Sequence, residues 1–220
     1  MHRNAARRSS CGARHPRVAG AVVIEGNPCT VREETGMTRD QAFTLLTARV
    51  QTDSLLKHSL ATEAIMRELA PRFAADPDLW GVTGLLHDLD FEDTRDDPAQ
   101  HGRKTAELLA ASDLPQDAVE AILRHNAEAL GLERTTTFDL ALTCAETITG
   151  LLVAAALVHP EKKLAAVKPQ SVRKRMKSKD FARNVNRDHI MLCERIDIPL
   201  PDFIELSLKA TRGISDQLGL

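Results

Sequence analysis

The stretch WGVTGLLHDLDFE, residues 80–92, decides how this chain is read. Asp76-Pro77 sets a helix cap and a first-turn proline just ahead of it. Trp80, Thr83, Gly84 and His87 then recur at three- and four-residue spacing, so the His87 imidazole points with the inward face of a helix. Asp88 follows at once, in an apolar context where an unpaired carboxylate is costly. An inward histidine beside an inward acid calls for a cation, and for further donors on neighbouring elements.

Those donors exist at matching positions. His58 shares a stripe with Leu55, Thr62, Ile65 and Leu69, and His125 shares one with Ala118, Ala121 and Ile122. His101 follows Pro98 closely, and is expected in the first turn of a helix opened by Asp97-Pro98, on the side of Thr105 and Leu108. Glu146 is the single charged residue between Leu140 and Val158 and needs a cation of its own. A lone inward histidine is usually a core residue with satisfied hydrogen bonds. Four of them with two carboxylates make a nitrogen and oxygen donor set that suits Fe, Mn, Co or Zn. Six side chains are too many for one ion that must also meet water and substrate. They fit two divalent ions bridged by Asp88, the candidate catalytic residue.

Outward from the site, the chain reads as all-α. Aromatic residues are 3%, tyrosine is absent, and 43% of residues are hydrophobic, a balance that disfavours strands. The Thr-x-x-Gln of residues 38–41 is a capping box. Further helices are expected from Asp53 to about Ala70, after Asp76, after Asp97-Pro98, through LPQDAVEAILRH, from a Thr137 cap through 140–158, and over 171–196 and 201–218. A loop is expected at Gly131 and a stop at Gly219. The run 140–158 is long enough to span a membrane, but Glu146 at its centre would cost about 3 kcal/mol there, so it reads as a core helix. Residues 37–220 form one expected domain. Residues 1–36, with six Arg and no Lys, read as a disordered extension or an upstream start, and lack the apolar stretch of a signal peptide.

A net charge of −2 gives no reason to expect a nucleic-acid or membrane partner. Four cysteines without CxxC spacing suggest neither a zinc knuckle nor a disulfide framework, and point to a cytoplasmic setting. Ten Lys and Arg lie between Lys162 and Arg187. Arg173, Lys174 and Arg175 there could hold a phosphate, or pair across the fold with the eight carboxylates of Asp76–Asp97. Lys57 and Arg124, each adjacent to a candidate ligand, are further candidates for binding an anionic substrate.

The order His…His-Asp…His…His…acid resembles the HD superfamily of metal-dependent phosphohydrolases. The resemblance spans 37–220, through LLKHSLATEAIMRELA, GLLHDLDFE, HGRKTAELL, AILRHN, AETITGLLVAAALV and SVRKRMKSKDFARNV. It implies His58, His87 and Asp88 as ligands of one metal, with His101 and His125 as the extra histidines of a dinuclear subgroup. Two departures stand out: Glu146 occupies a position where the family has Asp, and His87-Asp88 is followed by Leu89-Asp90 rather than Ile-Gly. The implied activity is hydrolysis of a small phosphoester or nucleotide. The same ligand set also serves di-iron oxygenases of the superfamily, and a metal-stabilised binding module without catalysis is the third reading.

Overall fold

The structure is a computed structural model that describes residues 36–220. The expectation for residues 1–36 therefore lies, Gly36 apart, outside the described residues, as do Cys11 and Cys29. The described chain is helical throughout, with no strand. The helices are α1 (Arg39–Arg49), α2 (Asp53–Leu69), α3 (Pro77–Leu86), α4 (Phe91–Thr94), α5 (Arg103–Leu109), α6 (Gln116–His125), α7 (Ala127–Leu130), α8 (Thr137–Leu157), α9 (Pro169–Met176), α10 (Arg187–Met191), α11 (Leu200–Arg212) and α12 (Ser215–Leu218).

Helix α8 is the axis of the fold. It is apolar nearly all round, and α2, α3, α6, α9, α10 and α11 pack about it. Its length and composition would suit a membrane span, but most of it is buried against these neighbours, as expected of a core helix. Its cap is Thr136, one residue ahead of the expected Thr137. The Thr136 hydroxyl accepts from Asp139 N–H, while the Asp139 carboxylate accepts from the backbone of Thr135 and Thr136. The Thr38–Gln41 capping box opens α1 as expected.

Glycine sets the distance between α2 and α3. A Cβ on Gly84 would lie 3.1 Å from the Thr62 backbone, and one on Gly81 would strike the Arg67 side chain. Small residues here let α3 settle onto α2, which brings His87 alongside His58. Trp80, on the same helix, stacks between Phe73 and Phe138 with ring centroids 5.5 and 4.9 Å away.

Several boundaries differ from the sequence reading, each for a visible reason. Asp53 does not cap α2. Its cap position is Thr52, and the carboxylate of Glu92 receives the Gln51 and Thr52 N–H groups at 3.1 and 2.8 Å. Asp97-Pro98 opens a turn rather than a helix. Helix α5 starts only at Arg103, after Gly102 with φ of 85°, which leaves His101 in the turn. The expected helix over 171–196 breaks after Met176. Asn186 then caps α10, and Arg187 donates to the carbonyls of Ser178, Phe181, Ala182 and Val185, stapling the intervening loop. The helix expected over 201–218 divides into α11 and α12, with Gly219 (φ 71°) as its stop.

The α2–α3 contact gives a test. Gly84→Val should destabilise the fold by about 1–3 kcal/mol through overpacking, read by urea denaturation with Trp80 fluorescence. Wild-type stability in that variant would mean that the two helices separate without cost.

Candidate metal centre

Five of the six expected ligands converge. His58 comes from α2, His87 from the end of α3, Asp88 from the turn that follows, His101 from the turn before α5, and His125 from the last residue of α6. Asp88 lies between the rings. One carboxylate oxygen, Oδ2, is 3.5 Å from His58 Nε2 and 3.4 Å from His87 Nε2. The other, Oδ1, is 3.3 Å from His101 Nε2 and 3.4 Å from His125 Nε2. The two Nε2 atoms within each pair are 3.1 Å and 2.9 Å apart.

The hydrogen bonds on the far side of each ring fix which nitrogen carries the proton. His87 Nδ1 donates to Gly84 O at 2.8 Å, and His125 Nδ1 donates to Ile122 O. His101 Nδ1 donates to Asp90 Oδ1 at 2.7 Å. His58 Nδ1 lies 2.8 Å from the Thr149 hydroxyl, which itself donates to Glu146 O and so accepts from the ring. With every Nδ1 occupied as a donor, each neutral ring turns a bare Nε2 lone pair toward Asp88. Four lone pairs and a carboxylate facing one another repel unless a cation sits among them. The donor set therefore fits metal ions, and it divides into two groups that could each hold one: His58, His87, Asp88 and Asp88, His101, His125.

The electrostatics set His101 apart from His58 and His87. Burial pushes His87 down to about 3 and lowers His58, favouring neutral, ligand-ready imidazoles. Burial works to lower His101 too, but the carboxylates of Asp88 and Asp90 on its two sides outweigh it and raise it to about 10. That ring position calls for positive charge. Burial opposes ionisation of Asp88, yet the surrounding imidazoles hold it well below the ordinary carboxylate range.

Glu146, the sixth expected ligand, lines the same cavity but belongs to neither group. Burial, reinforced by the charge of Asp88, pushes its carboxyl up to about 8, and its oxygen accepts from the Thr147 hydroxyl. The five cationic residues expected to bind substrate do not line this cavity. Lys57 pairs with Asp53 at 2.8 Å and Arg124 with Glu120 at 2.8 Å. Arg173 and Lys174 are exposed on α9, and Arg175 stacks over Phe181. Among the described residues, no ion pair joins the acidic stretch 76–97 to the basic one 162–187.

Three supporting residues were not singled out in the sequence. Asp90 is fully buried. Besides His101, it accepts from the backbone of Gly102 and Thr105 at 2.8 and 2.9 Å. Its place two residues after Asp88 in a run with apolar neighbours is the signal that could have marked it. Glu128 and His189 meet at the cavity rim, Nε2 to Oε1 3.0 Å. Arg134 grips Glu128 with two bonds, and its hydrogen bonding holds that carboxyl down at about 2. No pattern in the sequence links residues 128 and 189.

Asp90→Asn should weaken metal binding about 10–100-fold, since it removes the carboxylate that orients His101, read by metal titration of stripped protein. Unchanged affinity would remove Asp90 from the site. Bound metal should also fall as pH drops, because protons compete for the same Nε2 lone pairs. Metal content after dialysis at decreasing pH checks this, and retention without loss down to pH 4 would contradict imidazole ligation.

No curated protein and no solved structure gives a significant match to the chain. Residues 55–156 match the family model described as HD domain. That span includes His58, His87, Asp88, His101, His125 and Glu146. With the helical fold and the His/Asp cluster, the match shows an HD domain over residues 55–156, a family whose members are generally metal-dependent hydrolases.

Proposed function

We propose that the protein is a phosphohydrolase that acts on a small phosphate ester through two divalent ions sharing Asp88. One observation carries this reading: each oxygen of Asp88 faces its own pair of imidazoles. A bridging carboxylate needs that arrangement, and a single-ion site does not. When bound, such a pair supplies a more acidic water and neutralises phosphoryl oxygens. The chain's part is to present one oxygen of Asp88 to each pair of imidazoles and to hold the four rings oriented through their Nδ1 hydrogen bonds. The cavity above them is about 410 Å3, a volume that suits a small molecule. Since the expected Lys and Arg lie elsewhere, neutralising the phosphate would fall to ions held by the His58, His87, Asp88 and Asp88, His101, His125 groups.

The test is phosphate release from a panel of phosphomonoesters and nucleotides by protein loaded with Mn, Co or Fe. Wild type should turn over at least one of them, with about two ions bound. Asp88→Ala should lose most of the metal and at least ~100-fold in kcat/KM. Two bound ions without turnover of any ester would reject the hydrolase reading. Oxygen uptake by the iron-loaded protein in that situation would favour a di-iron oxygenase.

A further inference from the structure

Two cavities meet at the rim of the metal centre. The first holds Asp88, His101 and His125. The second, about 310 Å3, lies between α8 and the loop before α10, lined by Thr147, Gly150, Asn184 and Val185 among others. His58, Glu146 and His189 border both. Of the two histidines among them, His189 stands outside the Asp88 cluster. Its Nε2 donates to Glu128, and Glu128 is gripped by Arg134. Arg134 in turn donates to the His125 carbonyl at 2.6 Å and to the Thr143 hydroxyl at 2.7 Å. Arg134 is nearly buried, so this chain of contacts ties the His189 ring to the backbone of a metal-facing residue.

The carboxylate fixes the tautomer. With the Nε2 proton committed to Glu128, the neutral ring offers Nδ1 as an acceptor, and Nδ1 has no hydrogen-bond partner among the described residues. The side cavity suits a small polar group. No Phe or Trp lines it, and Thr147, Thr149, Asn184 and Asn186 give its walls hydroxyl and amide groups. At Gly150 the α8 wall comes close to the facing loop, since a Cβ there would lie 3.0 Å from Val185 Cγ2, so a larger side chain at this position would have to push into the cavity or against Val185.

We infer that this side cavity receives the alcohol part of the ester, and that His189 Nδ1 accepts a hydrogen bond from a hydroxyl or amino group on it. The substrate class is then a phosphate monoester of a small polar alcohol. This rests on the phosphohydrolase reading for the position of the phosphate.

Calorimetric binding of inorganic phosphate and of glycerol 1-phosphate to Mn-loaded full-length protein tests it. Wild type should bind the ester more tightly than phosphate by about five- to tenfold, the worth of one hydrogen bond. His189→Ala should lose that preference while keeping its metal content and its phosphate affinity. His189→Asn, whose amide oxygen can take the place of Nδ1, should recover part of it. Gly150→Leu should weaken the ester alone by filling the cavity. No preference in wild type, failure of both ligands to bind, or an equal loss for both ligands in His189→Ala would overturn the inference. The expected binding pattern without turnover would instead reject hydrolysis and leave the binding assignment standing.

Discussion

Everything around the site follows from one electrostatic constraint: four imidazole lone pairs are aimed at a single buried carboxylate. Such a cluster costs several kcal/mol unless positive charge lies within it. The protein invests heavily in creating it. Each ring is locked from behind, by two backbone carbonyls, a threonine hydroxyl and the buried Asp90 carboxylate. No ring is free to rotate its proton inward and relieve the repulsion. A structural histidine cluster would be expected to do the reverse and share protons among its rings.

The fold serves this constraint by bringing four separate chain segments to one point beside α8. The His58 and His87 pair depends on the close seat of α3 upon α2, which the two glycines permit. The His101 and His125 pair depends on the turn after Asp90, whose carboxylate collects the Gly102 and Thr105 N–H groups and so places His101. Asp88 and Asp90 thus divide the work: the first faces the centre, and the second holds the ring behind it.

Much of this was legible in the sequence, because burial and helical period leave marks that any reader can count. The inward phase of His58, His87 and His125 follows from neighbours three and four residues away. The core placement of α8 follows from its apolar composition. What was not legible depends on contacts between distant segments. Asp90 resembles any turn aspartate until Gly102 and Thr105 come round to it. Glu92 looks like a surface acid until it meets the start of α2. Asp-Pro is a common helix opening, and the positive φ of Gly102 that leaves His101 in a turn is not visible from residue type alone. Lys57 and Arg124 neighbour ligands in sequence, but a helix turns about 100° per residue, so the neighbour of an inward histidine points elsewhere.

His87 and His125 each close a helix with the same bond that fixes their tautomer. The carbonyls of Gly84 and Ile122 lie in the last turns of α3 and α6, where no further amide of the helix is available to them. Chemistry and folding are thereby written into one hydrogen bond. A lineage that drifted away from metal binding by exchanging either histidine would also fray the end of a core helix. Selection for mere foldedness would then keep these two positions as histidine after the need for a ligand had passed. Their presence in a chain accordingly says less about activity than the presence of His58, whose ring closes no helix end.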